Sequence, residues 1–232
     1  MKRIIIAIAS VAAVLTSCGT ANQVELITRE SQYAAMYEAR PVTLLVMPPI
    51  NNTSFTEAKD MLYTSISQPL AEAGYYVISP FLAMEVLKAE SAYDAELFVN
   101  GSLEKFNNFF GADAVVFSEI YSWTKVGTGI STDIRYFIKM ARTGEIVFDR
   151  RCDLYLDLSV NVIPETDSAL GMLINLGASA INTAATGHID AARLVNGYIF
   201  RDLPYGKYSP GYDQDRNYEA EQQNISATVK AH

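Results

Sequence analysis

The sequence predicts an α/β fold: one three-layer-like domain whose mixed sheet opens with a β-α-β-α run. An antiparallel meander follows, and helices close the chain. Three observations lead there. Val42 to Met47 is an unbroken apolar run, typical of a strand covered on both faces. Ala58, Met61, Leu62, Ser65, Ile66, Pro69, Leu70 and Ala73 recur at helical steps and form one buried stripe. From Ile130 to Leu158 apolar and polar residues alternate, as they do along strands buried on one face.

The elements follow in order. Asn22 to Arg40 is a polar lead-in with helical spacing at Tyr33, Met36 and Tyr37, and Pro41 ends it. Pro48-Pro49 is expected to terminate the first strand, since neither residue can donate to a ladder. Ser54 and Glu57 have capping-box spacing for the first helix. Pro69 is expected to kink its last turn, and Gly74 to cap it. Tyr75 to Ile78 reads as a short strand. Ser79-Pro80 opens a second helix through Ala89, with proline at the first helical position.

Ser102 to Phe110 is a third short helix, and Ala114 to Trp123 a long strand. The meander runs through Ile130 to Met140, a hairpin at Arg142-Thr143-Gly144, and Glu145 to Leu158. In the last strand Ile146, Phe148, Cys152, Leu154, Leu156 and Leu158 are expected on one face. Asp149, Arg150, Arg151 and Asp153 are expected to pair across strands on the other. Cys152 then reads as a small core residue, not a reactive thiol. Asp167 or Ser168 caps a helix through Ala185, which Gly187 breaks. Ile189 to Phe200 forms another. The Tyr/Gly/Pro-rich stretch after Asp202 is expected to run over the surface and fray toward His232.

The N-terminus carries a processing signal. Lys2 and Arg3 precede an apolar run, Ile4 to Leu15, that is too short to remain as a membrane span. Leu15-Thr16-Ser17-Cys18 matches the bacterial lipobox, in which the cysteine is acylated and becomes the mature N-terminus. The expected organisation is a signal peptide over 1–17, a tether over 18–40, the α/β domain over 41–202 and a tail over 203–232. No Asp follows Cys18, so outer-membrane sorting is expected, with the periplasmic face as default. Loss of Lys2 and Arg3 takes the formal charge from −8 to −10. An acidic domain argues against nucleic-acid partners. With Cys18 lipidated, Cys152 has no intrachain disulfide partner.

No constellation of catalytic or metal-binding residues stands out. The chain has two histidines; His188 reads as a capping or solvated residue. Gly127-Thr128-Gly129 reads as a hairpin. The strand-to-helix junction at Asn51, Asn52, Thr53 and Ser54 is the one candidate ligand or partner loop. Prolines and the lack of glycine make it a poor phosphate cradle. Its residues equally form an Asx turn. No cofactor is expected.

The block Pro41 to Thr53, PVTLLVMPPINNT, resembles the opening of a family of bacterial lipoproteins first noted as a meningococcal vaccine-screen antigen. Pro69 to Val77, Gly111 to Ala114, Arg142 to Val147 and Leu203 to Pro210 are similar to its later blocks. Lys207 and Ser209 stand where the family often has Pro and His. The resemblance implies a TolB N-terminal-like fold, related to the periplasmic domain of CsgG. It implies CsgG-like envelope lipoproteins as partners, and it carries over no residue but Cys18, as the lipid site. The expected function is a non-enzymatic outer-membrane lipoprotein that assists a transport or secretion assembly by protein contacts. The alternative is a periplasmic ligand-binding protein or enzyme using the Asn51–Ser54 loop. Open strand edges also suggest a homo-dimer.

Overall fold

A computed structural model describes residues 26–159 and 187–230. The expected signal peptide, Cys18, the first part of the tether, the helix expected through Ala185 and His232 lie outside the described residues. Helices α1 (Arg29–Gln32) and α2 (Ala34–Ala39) precede strands β1 (Thr43–Val46) and β2 (Ile50–Asn51). Next come α3 (Ala58–Ser65), α4 (Ser67–Glu72), β3 (Tyr76–Val77), α5 (Pro80–Ala89) and α6 (Glu104–Phe110). The meander is β4 (Ala114–Val126), β5 (Gly129–Met140) and β6 (Ile146–Asp157). Helix α7 (Gly187–Phe200) and β7 (Asn224–Lys230) follow.

The sheet is mixed, as expected, with order β3-β1-β4-β5-β6-β7. β1 runs parallel to β3 and β4, β4 to β6 are antiparallel, and β7 is parallel to β6. Alternation along the strands feeds two cores. Val116, Ile120, Tyr136, Phe148 and Cys152 point to α2, α3, α4 and α7. Val115, Phe117, Phe137 and Leu45 point the other way, to α5 and α6. Burial holds the Cys152 thiol up at about 12, in keeping with a core role.

Several expectations need correcting. Pro48-Pro49 interrupts the first strand without ending its pairing: Ile50 and Asn51 pair with β4 again, one residue out of step with β1. Ser54 and Glu57 form no capping box; Glu57 stands at the cap of α3 without a side-chain bond to the helix backbone. β6 carries an extra residue at Val147, so Val147 turns inward and Ile146 faces solvent. Arg150 lies on the core side, not the solvated face. It is buried and donates to Ile199 O at 2.8 Å and Gln222 O at 2.9 Å, with Glu221 3.3 Å away. The outer face pairs Arg135 with Asp149 and Arg151 with Asp133.

The largest corrections concern the two ends. Residues 26–40 are not a free tether: Tyr33 and Met36 are 2% exposed, and Tyr33 stacks on Phe148 with centroids 5.2 Å apart. Residues 203–230 are not a surface tail: Leu203 is buried, and Asn224–Lys230 completes the sheet. One buried ion cluster binds both ends. Arg29 donates from Nε to Asp202 at 2.9 Å, from Nη1 to Asp215 at 3.1 Å and from Nη2 to Arg201 O at 3.0 Å.

Candidate interaction site

The Asn51–Ser54 loop is held by its own side chains. Asn51 Nδ2 donates to Phe55 O at 2.9 Å, and Asn51 Oδ1 accepts from Thr53 N and Thr53 Oγ1 at 3.1 and 2.8 Å. Phe55 N donates to Thr53 Oγ1 at 3.2 Å. This is the Asx-turn alternative. It uses both Asn51 polar atoms within the loop and leaves Asn52 and Ser54 exposed. Its effect is to set Phe55 against His188, ring centroids 4.6 Å apart.

Trp123 joins that pair because of a bulge. β4 carries one extra residue at Tyr121, between the Ile120–Ile134 and Ser122–Asp133 pairs. Without it, Trp123 would follow Phe117 and Glu119 to the opposite face; with it, the indole joins Ile120 in the first core. Trp123 Nε1 then donates to His188 Nδ1 at 2.9 Å. His188 is therefore not a solvated histidine. Burial, and next Lys125, hold it below its ordinary value of about 6.5, with Glu57 opposing.

A pH test follows. Protonation at Nδ1 removes the acceptor of the Trp123 bond, and Trp123 is the only tryptophan in the sequence. Its emission should change between about pH 7.5 and about pH 5, with a midpoint below 6.5, and His188→Gln should abolish the change. Because the folded value is depressed, the linked stability is full above the unfolded value. It is lost as pH falls through the folded one. A flat emission profile across that range would contradict the assignment.

The sequence blocks that carry the family resemblance meet as structural junctions. Asp113 Oδ2 accepts from Val42 N and Thr43 N, both at 2.9 Å, fixing the start of β1 against the start of β4. Gly74 sits at φ +93°, and a side chain there would meet Ser209 N at 2.4 Å. Gly206 N donates to Ala73 O at 2.8 Å, Tyr208 N to Gly74 O at 2.9 Å, and Tyr75 Oη to Pro204 O at 2.7 Å. The Pro69–Val77 and Leu203–Pro210 blocks therefore interlock through backbone contact, which requires glycine on the first.

The layer over the second core presents a different surface. Ala83 and Leu87 of α5 and Phe106 of α6 pack inward, yet Phe81 and Leu82 are 73% and 62% exposed. Leu97 and Phe109 of the same layer are 67% and 66% exposed. Between α5 and α6 lies an open groove of about 400 Å³, lined by Val86, Leu87, Phe106, Phe109 and Phe110 with Glu90 and Lys105 at its polar positions. No sequence motif marked it, because a helix buried on one face and apolar on the other has no clean period. Among the described residues, no three His, Cys, Asp or Glu side chains gather as metal ligands, and no helix is long and apolar enough to cross a membrane.

The model of the family described as "Putative lipoprotein GNA1162-like" matches residues 31–197. The chain belongs to this family. Among curated relatives of this GNA1162-like chain is "Putative lipoprotein NMB1124/NMB1162" of Neisseria meningitidis serogroup B, 30% identical over 128 residues. That match covers 55% of each chain, so this chain spans about half the length of the relative. Among solved structures, lipoprotein GNA1162 from Neisseria meningitidis is 23% identical, with a TM-score of 0.45 over 62% of this chain and 99% of the other. The LpoB C-terminal domain from Escherichia coli is 16% identical, with a TM-score of 0.36 over 53% and 93%.

Proposed function

We propose that this GNA1162-like chain is a non-enzymatic outer-membrane lipoprotein, held at the periplasmic face by acylated Cys18. It assists an envelope transport or secretion assembly through protein–protein contacts. The TolB N-terminal-like architecture and a CsgG-like partner lipoprotein, both implied by the sequence resemblance, belong to the same proposal. The observation that carries it is the α5–α6 layer, where Phe109 lines an apolar groove and faces solvent, and Phe81, Leu82 and Leu97 of the same layer are exposed too. Exposed apolar side chains concentrated in this way fit a surface that a partner covers. The lipobox supports the anchoring, and eight residue steps from Cys18 to Leu26 reach at most about 28 Å. The domain would therefore stay beside the membrane. The ligand-loop alternative is weakened by the Asn51 and Thr53 side chains, which bond within their own turn.

A photo-crosslinking residue at Phe109, in the full acylated chain in cells, tests the contact. The expected product is a discrete adduct with an envelope protein identified by mass spectrometry, reduced at least tenfold by Phe81→Asp. An acylated chain that yields no protein adduct from Phe109 would overturn the reading.

A further inference from the structure

The edge strand β7 carries a further inference. It ends the sheet, and among the described residues no strand pairs with its outer side. It is seven residues long, contains no proline, and pairs with β6 without a bulge. Such an edge is a template for another strand. The register with β6 places Arg151 beside Asn224, and Arg151 N donates to Gln223 O at 2.9 Å. In a parallel ladder the N–H and C=O of one residue point to the same side, and successive residues alternate. Gln223, Ile225, Ala227 and Val229 therefore bond toward β6. Asn224, Ser226, Thr228 and Lys230 turn their backbone groups outward.

The strand reads Asn-Ile-Ser-Ala-Thr-Val-Lys, which is nearly symmetric in chemistry about Ala227. We propose that β7 pairs antiparallel with β7 of a second copy of this chain, across a two-fold axis at Ala227. Ser226 then lies opposite Thr228 of the second copy, and Asn224 opposite Lys230. These are the residues with free backbone groups, so each pair exchanges hydrogen bonds. Ile225 lies opposite Val229. Both are only half-buried against the first core, and the pairing covers them further. Lys230 meets an amide, so no like charges face each other. Ala227 meets its own copy in a non-hydrogen-bonded pair, where chains approach most closely and a small side chain fits. An axis at Ser226 would set Val229 and Lys230 opposite Gln223 and Gln222, which lie outside β7. The symmetry of the interface is isologous, as a closed dimer requires.

Cysteine crosslinking of the full chain in detergent tests this. Ala227→Cys places two thiols within disulfide reach, about 4.5 to 5.5 Å between Cα atoms. Mild oxidation should give a covalent dimer that the wild-type chain does not form. Asn224→Cys should not crosslink, because its own copy lies six residues away along the strand, about 20 Å. Thr228→Pro removes an outward N–H and leaves the β6 ladder intact. It should halve the mass found by light scattering while circular dichroism stays unchanged. A monomeric wild-type mass, equal crosslinking by Ala227→Cys and Asn224→Cys, or a dimer that survives Thr228→Pro would each overturn the proposal.

Discussion

Arg29→Ala should lower the free energy of unfolding by about 3–5 kcal/mol. The Arg29 side chain is 10% exposed and its two carboxylate partners, Asp202 and Asp215, are fully covered. Truncation leaves both carboxylates without their cation, and neither can reach water without opening the structure. The loss also propagates. Asp202 accepts from Tyr33 Oη at 2.7 Å and Glu221 N at 3.0 Å, and Asp215 from Tyr205 N at 2.9 Å. The cluster thus joins α1, the chain after α7 and the approach to β7. Urea titration at neutral pH measures the change. Arg193→Ala is the comparison: its pair with Asp190 is exposed at both ends, and the expected change is within about 0.5 kcal/mol. Equal effects from the two substitutions would mean that the buried cluster does not hold the chain ends.

That cluster also explains which parts of the fold could be read from sequence. Local periodicity located β1, the α3–α4 stripe, α5 with Pro80 at its first position, the hairpin after Met140 and the inward face of Cys152. Each of these signals lies within a few residues of its cause. The chain ends failed for the opposite reason. Arg29 and Asp202 are 173 residues apart, and neither polar segment has an apolar period to show that it is docked. Segments rich in Tyr, Gly, Pro and Asn look the same whether they run free or dock through backbone contacts, as Gly74 and Gly206 do.

The site shows the same divide. The Asx turn at Asn51 was legible because all its bonds span four residues or fewer. The Trp123–His188 bond was not, since it joins residues 65 apart and depends on the extra residue at Tyr121. A bulge is invisible to a period-two reading until the partner strand is known. Arg150 illustrates a related limit. A charge within an apolar row reads as surface unless its acceptors are known, and here the main ones are backbone carbonyls in the last turn of α7 and just before β7.

Cys18→Ala carries the other large expected effect. A single acyl chain holds a protein to a bilayer only marginally, and two or more give stable attachment at about 0.8 kcal/mol per buried methylene. Among the described residues no helix is long and apolar enough to cross a membrane and replace that anchor. The substitution should therefore move most of the protein out of the membrane fraction, or leave it as an unprocessed precursor. It should do so without changing the stability of the domain, whose ion cluster and two cores are formed among the described residues. Metabolic labelling with a palmitate analogue, followed by density separation of inner and outer membranes, reads both points together. The expected result is a labelled wild-type chain in the outer-membrane fraction and an unlabelled Cys18→Ala chain outside it. An unlabelled wild-type chain, a Cys18→Ala chain that keeps the label, or a labelled chain confined to the inner membrane would contradict the assignment.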